Sequence, residues 1–162
     1  MKFTVVIPLY NKGEHIVQAL KSVLNQSYKD FEVIVVDDGS TDNSLELARQ
    51  VVSPKIRFFQ QENQGVSVAR NVGIENAGGE YISFLDADDV WHEDYLETIN
   101  SLTEKFTQSD IFVTAYEILM KDGKKNISAQ LEPEMGCLDS YWKTLKEKYD
   151  FVWTSATTIR RA

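Results

Sequence analysis

The chain has 162 residues, enough for one domain with a substantial core and no need of covalent staples. Its hydrophobic fraction of 43% and charged fraction of 26% are ordinary for a globular protein. A net charge of −8 excludes a nucleic-acid backbone as a natural partner, though not an anionic small molecule held through a metal ion.

Strand and helix signals alternate along the chain. Phe3-Thr4-Val5-Val6-Ile7 is a near-continuous apolar run, the mark of a strand covered on both faces. Ile16, Val17, Ala19, Leu20, Val23 and Leu24 then recur at helical spacing over 14–26. Residues 31–36 read as a second buried strand, after which Gly39-Ser40-Thr41 forms a loop. Asp42 or Asn43 can cap a helix that turns Leu45, Ala48, Val51 and Val52 inward. A third strand is expected at 56–59, a helix from Gly65 to about Ala77, a stop at Gly78-Gly79, and a strand over 80–85. Tyr95, Leu96, Ile99, Leu102 and Phe106 mark a further helix, and 111–119 a further strand. Beyond residue 120 the pattern weakens: a turn at 121–124 between antiparallel pieces, a helix over 138–148, and a strand from Val152 to Ile159. The expected architecture is α/β, a mostly parallel doubly wound sheet with helices on both faces and a smaller antiparallel portion after residue 110.

Open sheets of this kind bind ligands at the carboxyl ends of their strands. Three such ends carry functional groups: Pro8-Leu9-Tyr10-Asn11-Lys12-Gly13-Glu14, Asp37-Asp38-Gly39-Ser40-Thr41-Asp42, and Asp86-Ala87-Asp88-Asp89. In the last, extended residues two apart point to one side, so Asp86 and Asp88 converge and repel unless a cation lies between them. That pattern suits Mg²⁺ or Mn²⁺ held by few carboxylates and completed by phosphates; the alternative is an acidic turn capping the next helix. Asp38 has two readings, as acceptor for loop and helix-terminal N–H groups or for the imide N–H of a uracil base. Arg70 falls on the helical face of Val66, Ala69, Gly73 and Ala77, where a charge needs a partner. That partner is either a ligand or a carboxylate, Asp37 or Asp38. Tyr10 can stack on a planar base or simply cover its loop. His15 and His92 lack the company of a zinc site, and Gly-x-Gly-x-x-Gly, P-loop and Gly-x-Ser-x-Gly patterns are absent.

Taken together, four blocks in order and spacing resemble the family 2 inverting glycosyltransferases, which have the GT-A fold. The blocks are residues 5–11 (Val-Val-Ile-Pro-Leu-Tyr-Asn), 35–44 (Val-Val-Asp-Asp-Gly-Ser-Thr-Asp-Asn-Ser), 63–73 and 79–89. The resemblance implies a nucleotide-diphosphate sugar donor, UDP being the expected nucleotide, and a hydroxyl acceptor on a glycan, a lipid-linked sugar or another molecule. Pro8, Tyr10, Glu14, Asp38, Arg70, Asp86 and Ala87 would bind the donor, and Asp88 the Mn²⁺ or Mg²⁺ that bridges its phosphates. It divides the single domain into a nucleotide-sugar-binding half (1–110) and the start of an acceptor-side half (111–162). It also places the general base in an acidic motif after the strand near 152–160. Asp139 and Asp150 do not match that motif, and a chain stopping at Arg160-Arg161-Ala162 reads as a truncation.

Two alternatives remain at this stage. The run Phe84-Leu85-Asp86-Ala87-Asp88-Asp89-Val90 also fits the opening motif of haloacid-dehalogenase-like phosphatases, with Asp86 as nucleophile and Mg²⁺ assisting. A non-catalytic nucleotide-sugar-binding domain is the other. A single cysteine, Cys137, no signal peptide and no apolar stretch near the ~20 residues of a membrane span lead to the expectation of a cytoplasmic protein, peripheral at most to the inner membrane face. A homodimer, formed through an edge left open, is a further expectation.

Overall fold

The apolar run at the start of the chain becomes the centre of a six-stranded sheet in a computed structural model that describes residues 1–119, 125–128 and 153–161. β1 (Phe3–Leu9) pairs in parallel with β2 (Phe31–Asp37) on one side and β4 (Tyr81–Phe84) on the other, and β3 (Ile56–Gln60) extends the sheet beyond β2. Every residue of β1 and β2 is buried, as their unbroken hydrophobicity requires of strands covered on both faces.

Alternation sorts the strand side chains between two layers of helices. Phe3, Val5, Ile7 and Leu9 join Ile16, Leu20 and Val23 of α1 (Ile16–Leu24), Ala48 of α2 (Ser44–Arg49), and Leu96 and Ile99 of α4 (Tyr95–Lys105) in the larger core. On the opposite face Val6 packs with Ala77, Ile82 and Phe84, while Ile34 and Val36 meet Ala69 of α3 (Val66–Glu75). Gly73 lets α3 lie directly on β1: a Cβ there would stand 2.3 Å from Val6 Cγ1. Buried Gln26 ties α1 to α4, donating to the carbonyls of Ser22 (3.1 Å) and His92 (2.6 Å) and accepting from Leu96 N–H at 2.8 Å.

The expected α/β sheet with helices on both faces is therefore the observed one, and the antiparallel portion begins where the parallel repeats end. The run 111–119 divides into β5 (Ile111–Val113) and β6 (Tyr116–Leu119) rather than forming one strand. Thr114 N–H still bonds the carbonyl of Ala156, one step beyond the last paired residue of β5, and β6 then leaves to pair with β7 (Lys125–Ser128). The last strand is also shorter than the expected 152–159: Thr154–Ala156 forms a 3-10 turn and β8 (Thr157–Arg160) inserts antiparallel between β4 and β5. Helix α2 closes at Arg49, so Val52 is 91% exposed instead of facing inward. The expected turn at 121–124 and helix at 138–148 lie outside the described residues.

Candidate functional site

The sheet order β3-β2-β1-β4 contains a switch point: the chain moves outward from β1 through β2 to β3, then returns to place β4 on the other side of β1. A crevice at the carboxyl ends of the strands beside such a reversal is where open α/β sheets take ligands. A cavity of about 440 Å³ lies there. The end of β1 and the loop after it line it with Pro8, Leu9, Tyr10 and Lys12, the loop after β2 with Asp38, and that after β4 with Asp86, Ala87 and Asp88. Asn63, Gly65 and Val66, leading into α3, complete the wall.

These loops are held by one another. Asn11 adopts a left-handed backbone (φ 51°), and its Oδ1 accepts the N–H groups of Thr41 (2.8 Å) and Asp42 (3.3 Å). Lys12 N–H donates to Ser44 Oγ at 2.7 Å and Gly13 N–H to Asp42 at 3.2 Å. Asp42 also receives Ser44 N–H at 2.9 Å and the Ser44 hydroxyl, and these bonds, the hydroxyl first, hold its carboxyl below its ordinary value. It is thus Asp42, not Asn43, whose side chain satisfies the start of α2. Gly39 (φ +72°) could not be replaced cheaply, since a Cβ would meet the backbone nitrogen of Asn63 at 2.9 Å.

Asp38 is 3% exposed and accepts three hydrogen bonds, from Gln61 Nε2 at 2.7 Å and from the N–H groups of Gln64 (2.8 Å) and Gly65 (2.9 Å). The loop-anchoring reading of Asp38 is realised, and Oδ2, with one donor, keeps a free lone pair beside the cavity. Asp37 is the structural member of the pair, accepting Ser40 N–H at 3.3 Å and Gln60 Nε2 at 3.5 Å.

Arg70 pairs with neither. Its Nη2 donates to Asp86 Oδ1 at 2.7 Å, correcting the expected partnership with Asp37 or Asp38. Asp37 and Asp38 are already held by donors of their own loops, and the carboxylate after β4 is the one that takes the guanidinium. Val66, expected on the buried face with Arg70, is half exposed on the cavity wall. Asp86 N–H donates to Ser155 Oγ at 2.9 Å, and that hydroxyl donates to Asp89 at 2.6 Å. Asp88 turns the other way: Lys12 Nζ lies 2.5 Å from its Oδ2. Burial pushes the Asp88 carboxyl up, but the hydrogen bond and charge of Lys12 outweigh this and hold it below its usual value near 3.8. The two carboxylates share a cavity while each carries its own cation.

Tyr10, 46% exposed, stands open at the rim. Glu14 lies outside this cavity, in an adjoining depression with His15, Asp42 and Asn43. Among the described residues no cluster of three or more His, Cys, Asp or Glu side chains forms a metal cage, and no helix is long and apolar enough to cross a membrane. Lys12, Gln61 and Ser155 are the residues that sequence reasoning passed over. Lys12 carried a signal: a lone base in one strand-end loop opposite an acidic one.

Comparison with known proteins agrees with this arrangement. The chain resembles, at 41% identity over 127 residues, an uncharacterised glycosyltransferase of Rickettsia felis, a match covering 76% of this chain and 20% of that protein. It thus spans about a fifth of the length of that curated relative. A crystal structure of S. aureus TarS in complex with UDP-GlcNAc superposes with a TM-score of 0.74 at 26% identity, over 100% of this chain and 46% of that one. The mannosyltransferase PcManGT of Pyrobaculum calidifontis, in complex with GDP-Man and Mn²⁺, superposes with a TM-score of 0.56 at 31% identity over 59% of this chain and 30% of that one. These neighbours carry the GT-A-like fold expected from the motif blocks. The model of "Glycosyl transferase family 2" matches residues 4–162, and the chain belongs to that family.

Proposed function

We propose that this chain forms the donor-binding part of an inverting glycosyltransferase that takes a UDP-sugar, with metal assistance, and passes its sugar to an acceptor hydroxyl. Residues 1–110 are the nucleotide-sugar-binding half and residues 111–162 the beginning of the acceptor side. The observation that carries the reading is the single cavity at the switch point, with a buried acceptor at one end and two carboxylates at the other. Asp38 Oδ2 takes the imide N–H of the base, Tyr10 stacks on the ring, and Pro8 closes the pocket behind it. Asp86 and Ala87 contribute to donor binding, with Asp86 held by Arg70 beside the ribose and donor sugar, while Glu14, in the adjoining depression, stands outside this pocket. The complexes of TarS with UDP and UDP-GlcNAc support a uridine donor.

A divalent ion fits this site as a one-carboxylate partner completed by phosphates, because Asp88 Oδ2 already holds a cation, the Lys12 ammonium, at the cavity. Mn²⁺ or Mg²⁺ supplies positive charge to the departing nucleoside diphosphate when bound. The Mn²⁺ in the PcManGT complex is in keeping with this. The phosphatase alternative loses its ground, since the family model covers nearly the whole chain and Asp86 is engaged by a guanidinium rather than free to attack.

Calorimetric titration of UDP, UDP-GlcNAc and GDP-Man, with Mn²⁺ and with chelator, tests the reading. UDP binding that needs Mn²⁺ and is lost in Asp88→Ala is expected. Failure of every nucleotide to bind in the presence of Mn²⁺ would reject it.

A further inference from the structure

Lys12 sits at an odd place for a lysine that merely decorates a loop. Its backbone is pinned by the Ser44 hydroxyl at 2.7 Å, between left-handed Asn11 and the Gly13–Asp42 bond, so its stem leaves the loop from a fixed point. Its ammonium crosses to the acidic loop and meets Asp88 at 2.5 Å. Both ends of the pair are open to water, with side chains 42% and 40% exposed. Such a contact is worth little in solution and opens readily. Among the described residues that line the cavity, Lys12 is the only base, against the carboxylates Asp38, Asp86 and Asp88. Arg70, also near, is taken by Asp86.

We propose that Lys12 is a displaceable counter-ion of Asp88: it competes with a divalent cation for that carboxylate while the cavity lacks donor, and binds the donor diphosphate once displaced. The inference rests on the donor reading given above. An anionic diphosphate entering a cavity walled by three carboxylates needs more than one positive charge beside it. A lysine swung off Asp88 is already within the cavity and has three N–H donors to offer. Metal and donor then bind cooperatively: each alone meets an ion pair that must be broken, and together they satisfy both halves of it.

The proposal predicts effects of opposite sign from one substitution. Lys12→Met removes the charge and keeps the stem. Mn²⁺ affinity without nucleotide, read from the electron paramagnetic resonance of free Mn²⁺ with Asp88→Asn as the blank, is expected to rise about two- to fivefold, the size of an exposed ion pair. Calorimetric UDP affinity at saturating Mn²⁺ is expected to fall roughly tenfold or more, as for loss of a charge-assisted hydrogen bond. Lys12→Arg, which keeps the charge, should stay near wild type in the first measurement, and melting curves confirm that both variants fold. Unchanged or weaker Mn²⁺ binding by Lys12→Met overturns the competition, as does absence of Mn²⁺ binding in wild type and variant alike. Unchanged UDP affinity overturns the diphosphate contact. Tighter Mn²⁺ binding by the variant, in a protein whose wild type ignores UDP, would instead reject the donor reading and leave the counter-ion standing.

Discussion

Asp38 joins loop 61–65 to the end of β2 through three donors on one nearly inaccessible carboxylate. Asp38→Asn keeps the size but turns one acceptor oxygen into a donor, which must then face an N–H group. A loss of about 1–3 kcal/mol is expected in urea unfolding, the cost of a buried donor left unmatched. Amide hydrogen exchange should speed most at Gly65, whose N–H loses its acceptor when the amide oxygen keeps the side that serves Gln61 and Gln64. An unfolding midpoint equal to wild type would show that the three bonds contribute nothing net. Much of this site was readable beforehand, because acidic and aromatic residues just after buried strands have few structural reasons to be there. Partner choice was not readable. Asp37, Asp38 and Asp86 all stand at or just past strand ends, and which of them is left to Arg70 depends on the loop donors that occupy the other two, which the sequence does not display. Gln61 and Ser155 were invisible for another reason: a lone amide or hydroxyl has no pattern, and Ser155 meets Asp89 across 66 positions.

Helix α3 reaches β1 without an intervening side chain, and Gly73 is the reason. In Gly73→Ala the methyl group would overlap Val6, and a fully buried strand residue has little room to yield. Overpacking of this kind costs about 1–3 kcal/mol, more than the gain in helix propensity returns. Val6→Ala in the same chain removes the atoms it strikes. The double variant should therefore melt above the value expected if the two single losses simply added. Additive melting shifts would mean that α3 moves away as a body instead. At this scale the sequence spoke clearly where period and length agreed, in β1, β2, α1 and α4. It misled at 111–119, where hydrophobic character persists through a point at which the chain changes partners. The change of partner, from β8 to β7, is set by which distant strands lie alongside, and no local propensity records it.

Glu32 ties several parts of the sheet together through one carboxylate. It accepts the Thr4 hydroxyl at 2.9 Å, the Gly78 N–H at 2.8 Å and Arg57 Nη1 at 3.1 Å, and so spans β1, β2, β3 and the turn before β4. Burial pushes its carboxyl up, yet these bonds prevail and set it below its ordinary value near 4.5. The folded chain then binds fewer protons at this group than the unfolded chain. Its contribution is full above about pH 4.5 and is lost as pH falls through the lowered folded value. Urea midpoints measured down from about pH 6 should decline across that window, and Glu32→Gln should be less stable at neutral pH with a flatter acid limb. A parallel decline in wild type and variant would assign the acid sensitivity to other carboxylates. The place of β8 has a consequence in time. Thr158, whose buried hydroxyl meets Ser83 at 2.7 Å and Tyr95 at 3.1 Å, is 75 residues downstream of its strand partner. At ordinary rates of synthesis a ribosome needs roughly 4–15 s to deliver it, and β4 waits with one edge bare. A nascent chain stalled within that interval presents an unpaired strand to its neighbours. Release of residues 1–150 alone should give light-scattering aggregates under conditions where residues 1–162 stay clear, and the acidic loop receives Ser155 only after the same long interval.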